Sequence, residues 1–317
     1  MFNCVIKIAS FLIVVGAAVY TMEWLSRISR QFKKFRLVGT VTSLHCYPVA
    51  SCAGMVNKNA TCTVRGLKMV GAYDTQFLIG RETDKSFAVM SPQGTIKQYF
   101  CSPMRQIKAL CNGRDLLLSS IEGDDFTKLP LQKEEGKKVT LLQLYRAENI
   151  EAVIDLGDRM AKWLNDTLQV DKLRLYEVVS EVMCVTPGRS TFGNYVFAIQ
   201  DSIDYINRII SVEPKLSATY FRPNIVLTGC SPLEETKWSY IQIGNVCFKV
   251  SGPDCRIISD RNSSTSINWK HAWELAPEVP NNVRVIDGCN ISVDVGVNAT
   301  IIEEGEISIG DPVFACY

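Results

Sequence analysis

The stretch YIQIGNVCFKV, residues 240–250, decides how the rest of the chain is read. Ile241 and Ile243 alternate with polar residues, Gly244-Asn245 supplies a turn, and Val246, Phe248 and Val250 alternate again. Period-two alternation on both sides of a Gly-Asn pair predicts a β-hairpin with one buried face. Next comes SGPDCRIISD, residues 251–260, where Cys255 and Arg256 follow a Gly-Pro pair that reads as a loop. Cys255 is open to three readings: a small buried hydrophobe, half of a disulfide, or a thiolate that holds a metal.

Strand signals continue outward in both directions. FRLVGTVTSLHCYPV (35–49), TCTVRGL (61–67) and nearly all of 283–317 carry β-branched residues punctuated by Gly and Pro. Two helices interrupt them. EAVIDLGDRMAKWLNDTL (151–168) places Val153, Leu156, Met160, Trp163, Leu164 and Leu168 at helical spacing, and DSIDYINRII (201–210) places Ile203, Ile206 and Ile210 on one face. SEVMCVTPGRSTFGN (180–194) reads as the linker. Many short strands with a few helices predict a mainly β, α+β architecture of barrel type rather than a parallel α/β sheet. No Gly-rich dinucleotide fingerprint, phosphate loop, heptad array or repeat occurs.

Composition excludes several function classes. At 317 residues the chain holds one large domain or two small ones. A net charge of +1 offers no basic face for nucleic acid. Two histidines, His45 and His271, weigh against His-dependent zinc sites and Ser-His or Cys-His nucleophiles. The twelve cysteines include no CxxC pair, which removes zinc-ribbon and thioredoxin readings.

The N-terminus predicts a membrane anchor. IASFLIVVGAAVYTM (8–22) has no charge and, with its flanks, approaches the ~20 residues that span a bilayer. Arg27, Arg30, Lys33, Lys34 and Arg36 follow, so the positive-inside rule keeps the body in the cytosol. A modest apolar segment backed by basic residues suits the outer mitochondrial membrane. A cleaved signal peptide is the rival reading, and with five N-x-S/T sequons it would make a secreted glycoprotein. Its n-region would carry only Lys7, with the basic cluster on the wrong side. In the cytosolic reading the thiols stay reduced and the sequons unused.

Four stretches together resemble the MOSC-domain family, in particular its amidoxime reducing components. These are YFRPNIVLTG (220–229), WSYIQIGNVCFKV (238–250), GEISIGDPV (305–313) and, upstream, LHCYPVASCAG (44–54). The resemblance runs from residue 36 to 317. Behind the anchor and its basic flank, residues 1–35, it implies an N-terminal β-barrel-like domain over 36–180 and a MOSC β-barrel domain over 181–317. It also implies a molybdenum-pterin cofactor between the domains, with a cysteine thiolate on the metal. The activity implied is reduction of N-hydroxylated substrates with electrons from a cytochrome b5 and an NADH-dependent reductase.

Carried over residue by residue, the resemblance gives Ser51, Arg222 and Asn224 as cofactor contacts. A forked guanidinium suits phosphate, and an amide donates and accepts. Cys255 is the candidate metal ligand and catalytic residue, with Arg256 helping to ionise it. Aligned without a gap from the hairpin, Ile257 takes the ligand position, and a change of length in the Gly-Pro loop brings Cys255 onto it. Other positions depart from the family: Ala50 replaces a lysine, Thr75 an arginine, and Ala198, Ile199 and Gln200 stand where Leu-Ser-Glu is usual. Two functions of different class therefore remain: a molybdenum-dependent N-reductase, and a cofactor-free relative that keeps the fold for binding or scaffolding. Glu234, Glu235, Glu303, Glu304 and Glu306 read as solvated turns, and His271 as packed.

Overall fold

The computed structural model describes residues 34–74, 76–83, 95–98, 102–112, 114–120, 126–130, 139–143, 150–178, 194–210, 215–259, 283–287 and 290–317. The strands of the N-terminal half are β1 (Arg36–Cys46), β2 (Met55–Asn57), β3 (Asn59–Thr63), β4 (Gly66–Met69), β5 (Ala72–Tyr73), β6 (Phe77–Thr83) and β7 (Thr95–Gln98). They continue as β8 (Ile107–Cys111), β9 (Asp115–Ser120), β10 (Phe126–Pro130), β11 (Val139–Gln143), β12 (Ile150–Asp155) and β13 (Leu173–Val178). The C-terminal half supplies β14 (Asn194–Ile199), β15 (Ile225–Thr228), β16 (Tyr240–Ile243), β17 (Val246–Ser259), β18 (Val283–Asp287), β19 (Asn290–Glu303), β20 (Gly305–Ser308) and β21 (Pro312–Cys316). The mainly β class expected from the sequence is what the chain adopts.

Two closed sheets organise the molecule. In the first, the order β14-β15-β1-β21-β16-β17-β19 returns to β14 through a β14–β19 pairing, which closes a seven-stranded barrel. Its hairpin is the one predicted: β16 and β17 pair antiparallel with Ile243 opposite Val246. Inward residues Ile241, Ile243, Val246 and Phe248 are fully buried with Val41, Leu44, Phe197, Ile225, Val297 and Val313. Phe248 meets Tyr195 and Phe197 edge-on at 4.9 and 5.1 Å between centroids. Each such ring contributes about 1.5–3 kcal/mol through burial alone.

The second sheet, β11-β12-β13-β6-β7, also closes. Beside it the three-stranded β10-β9-β8 sheet and the helix Asp158–Leu168 share a core of Phe77, Ile79, Met104, Ile107, Leu116, Leu118, Met160, Leu164 and Leu173. This helix is shorter than the sequence reading. Ile150–Asp155 is strand β12, and helix begins only after Gly157, whose φ of 93° a helix cannot continue through. Val153 and Leu156, three apart, match one helical turn in spacing, but the β-branched pair Val153-Ile154 is held in strand by β11 and β13. The second expected helix forms as Gln200–Ile210 and buries Ile203 and Ile206.

The two halves of the sequence interleave. Strand β1 lies inside the C-terminal barrel beside β15, and β20 pairs with β3. Residues from Val38 to Met69 therefore share a core with residues from Tyr195 to Ala315. The expected boundary at 180/181 and the apolar stretch 8–22 lie outside the described residues. Among the described residues, no helix is long and apolar enough to cross a membrane.

Candidate functional site

The loop between β1 and β2, residues 47–54, is stapled to the N-terminal half by its backbone. Phe77 N donates to Pro48 O and Ala50 N to Phe77 O, both at 2.9 Å, while Ala53 N donates to Ile107 O at 2.8 Å. Tyr47 N donates to Asp74 Oδ1 at 2.6 Å. These bonds hold Ser51 with φ 69°, a left-handed conformation that costs a non-glycine residue about 1–2 kcal/mol. Such strain persists only where the surroundings enforce it.

The FRPN loop meets this loop from the C-terminal half. A 3-10 turn, Ala218–Phe221, starts at Ser217, whose hydroxyl accepts from Thr219 N, and ends at Arg222 with φ 48°. Half-buried Arg222 donates from Nη1 to Cys52 O at 2.7 Å and lies 4.2 Å over the Tyr47 ring. Ser51 and Arg222 thus flank the Cys52 carbonyl, both left-handed. Burial pulls the Arg222 pKa below its ordinary value, offset by Tyr47, Cys52 and Asp74, while Arg105 adds a repelling charge. A guanidinium nevertheless stays protonated. Among the described residues it has no carboxylate within ion-pair distance, so its remaining N–H groups suit an anion.

Asn224 is buried and already committed. Its Oδ1 accepts from Val196 N at 3.0 Å and its Nδ2 donates to His45 O at 3.5 Å. Its backbone N donates to Val196 O and its O accepts from His45 N, both at 2.8 Å. All four bonds tie β1 to β14, leaving one amide hydrogen and one lone pair for anything else.

The register of the barrel brings this latch to the strand of Cys255. Val196 stands opposite Asn298, and Asn298 opposite Gly252. With strands about 4.8 Å apart, Gly252 lies two strand spacings, roughly 10 Å, from the residue Asn224 holds. Here the structure corrects the sequence: the Gly-Pro segment is not a loop but the middle of one strand, β17. Its irregularity is taken up by bulges, with shifts between Val250 and Gly252 and between Pro253 and Cys255. Cys255 stands opposite Asp294 and Ile257 opposite Ser292. Positions 255 and 257 thus share a face of the pleat, one period apart.

Departures from the family motif are placed as follows. Ala50 packs against Leu78, Val153, Tyr176 and Val178. Ala198 and Ile199 are fully buried at the end of β14, and Gln200 opens the following helix with its Nε2 on Asp204 Oδ1 at 2.9 Å. Thr75 and His271 lie outside the described residues. Only Glu304 lies in a connection, since Glu303 ends β19 and Glu306 lies in β20, but all three are exposed. Glu235 is not: it is 0% exposed, accepting from Ser202 Oγ at 2.9 Å and Gly296 N at 3.1 Å. Two residues near Arg222 had no role assigned from the sequence, although Tyr47 lies inside LHCYPVASCAG. Tyr47 offers its ring face, and Arg105 closes the last turn of Ser102–Gln106 near Arg222. Arg65 and Lys68 also converge on one ring, 4.3 and 5.3 Å from the Tyr73 centroid.

A two-barrel fold with an Arg-bearing FRPN loop against a Tyr-Pro-Val loop defines a class that comparison with known proteins identifies. The MOSC N-terminal beta barrel domain matches residues 38–171 and the MOSC domain matches residues 193–314. The chain belongs to the MOSC-domain family, as a divergent member of the amidoxime-reducing type. It is 24% identical to mitochondrial amidoxime reducing component 2 of Rattus norvegicus, over 94% of this chain and 90% of that protein. Identity to mitochondrial amidoxime-reducing component 1 of Homo sapiens is 29%, over 75% of this chain and 69% of that one. A molybdenum cofactor sulfurase of Caenorhabditis elegans is 24% identical over 67% of this chain and 27% of its own length. The family is thus associated with the molybdenum cofactor.

The residues present fit the anionic end of such a group. Arg222 has donors left over beside a polarisable ring, and the positive charge of Arg105 acts on it. Among the described residues no three His, Cys, Asp or Glu side chains gather as metal ligands. A pterin-held metal that takes one protein thiolate needs no such cluster.

Proposed function

We propose that this chain is a membrane-anchored, molybdenum-dependent oxidoreductase that reduces N-hydroxylated substrates with electrons from a cytochrome b5 and its NADH-dependent reductase. The observation that carries this reading is Arg222. It is a half-buried guanidinium in a strained backbone, with Arg105 nearby, and such an arrangement is stabilised by an anion. Arg222 would hold the pterin phosphate, the Ser51 hydroxyl and the remaining amide hydrogen of Asn224 would orient it, and Cys255 would supply the thiolate. When bound, the group supplies two-electron redox chemistry at the metal. Cleavage of an N–O bond takes two electrons and two protons and releases water.

The same proposal divides the chain at 180/181 and assigns residues 8–22 to an anchor in the outer mitochondrial membrane, with the body in the cytosol. The basic residues 27–36 and the relatives' mitochondrial names support it. Full-length protein in detergent, supplied with NADH, reductase, cytochrome b5 and benzamidoxime, should oxidise NADH and form benzamidine. Molybdenum-loaded protein that forms no amidine would overturn the proposed activity. Protease treatment of intact mitochondria should remove the body.

A second reading rests on Asn224 and Ile199. With the Asn224 amide spent on bracing and a buried isoleucine where a hydroxyl is usual, the fold serves as a cofactor-free binding or scaffolding module. That reading predicts metal-free protein from a host that makes the cofactor.

A further inference from the structure

Glu235 is a buried carboxylate for which the proposed reduction has no use. It sits in the 3-10 turn Glu234–Lys237, fully enclosed, with no cation among its partners in the described residues. Its Oε2 accepts from Ser202 Oγ, which in turn accepts from Leu233 N at 2.8 Å. Its Oε1 accepts from Gly296 N, 61 residues further along. Enclosing an unpaired carboxylate is costly, so its placement calls for a reason.

Gly296 supplies the reason. Opposite Val250 stands Ala299, but opposite Gly252 stands Asn298, so β17 spends two residues where β19 spends one. Opposite Pro253 stands Val297 and opposite Cys255 stands Asp294, so β19 spends three steps where β17 spends two. The extra residue of β19 falls at Val295–Gly296, and the two slips cancel. Gly296 has φ 79°, and a Cβ there would lie 2.1 Å from Phe197 O. Only glycine fits, and its N–H is the one that Glu235 accepts. Without this second bulge every later residue of β17 would be displaced by one, and a one-residue slip turns each to the opposite face of the sheet.

We infer that Glu235 is a positioning residue: by holding the Gly296 bulge it sets the β17–β19 register and thereby the face on which position 255 is presented. This rests on the reading of Cys255 as ligand only for its consequence. The register itself needs no cofactor.

The test uses full-length protein in detergent, with hydrogen exchange and alkylation by N-ethylmaleimide followed peptide by peptide. Glu235→Ala should speed exchange over residues 252–258 and 292–298 by about tenfold or more and change the alkylation rate of Cys255. The hairpin 240–250, including Cys247, should keep its wild-type rates. Glu235→Gln, which keeps an acceptor for Gly296, should restore both. Should Glu235→Ala fail to fold, Glu235→Asp, one methylene short of Gly296, is read in the same way. Uniform acceleration across both barrels, or an unchanged Cys255, overturns the inference. Molybdenum content of the wild type is read separately, so loss of the ligand hypothesis is distinguishable from loss of this one.

Discussion

The guanidinium of Arg222 donates to the carbonyl of Cys52, 170 residues earlier in the chain, at 2.7 Å. One hydrogen bond thus joins the FRPN loop to the Tyr-Pro-Val loop, and both flanking residues, Ser51 and Arg222, adopt left-handed backbone. The contact fixes two strained loops while leaving further donors available, which is what the proposed anion site requires.

Arg222→Met removes that bond and leaves the Cys52 carbonyl without its charged donor. It should lower stability by about 1–3 kcal/mol and reduce bound molybdenum and pterin at least about tenfold. Arg222→Lys keeps the charge but not the fork, so it should recover more stability than cofactor. Urea midpoints and metal analysis on the same preparations separate the two effects.

Asn224→Ala should act on the fold first. It removes an acceptor from Val196 N and a donor from His45 O in a buried seam, at a cost of about 2–4 kcal/mol. The urea midpoint should fall with an unchanged denaturant slope. Asn224→Asp keeps the acceptor for Val196 but turns a buried carboxylate oxygen onto His45 O, so at neutral pH it should lose at least as much.

Glycine substitutions separate strain from collision. Gly310 has φ 94° and nothing within 4 Å of an added Cβ, so Gly310→Ala should cost only about 1–2 kcal/mol. Gly296→Ala adds a collision with Phe197 O and should cost more than about 3 kcal/mol or prevent folding. Thermal melts of the two variants side by side provide the check.

Glu235 gives a pH dependence of defined sign. Burial raises its pKa above 4.5, so the folded state binds its proton more tightly than the unfolded chain. Its contribution is therefore most favourable below 4.5 and is lost as pH rises through the folded value. Glu235→Gln has no proton to lose, so its stability relative to wild type should grow from pH 4.5 upward. Urea titrations at pH 4.5 and at about pH 7.5 measure that difference.

Much of the fold was legible because its signals are local. The alternation around Gly244-Asn245 states the hairpin, and the spacing of Ile203 and Ile206 states the second helix. What was misread depended on partners distant in sequence. Val153 fits helical spacing with Leu156 until β11 and β13 claim it as a strand. Gly252-Pro253 carries loop residues, yet β19 pairs across it by bulging at Gly296. Glu235 beside Glu234 reads as solvated, and only Ser202 and Gly296 show otherwise. In the site, Arg222 and Asn224 were visible by motif. The use of Asn224 as a brace, and the gathering of Tyr47 and Arg105, depend on tertiary contacts that no short motif encodes.

A molybdenum-pterin group held through Arg222 and the Cys255 thiolate is a proposal that composition alone can decide. Its most direct test is the molybdenum and pterin content of the full-length protein, purified from a host that makes the cofactor, beside that of Cys255→Ser. About one metal per chain is expected in the wild type, and its loss in the variant. Wild-type protein without metal, or a Cys255→Ser variant that retains it in full, would contradict that proposal.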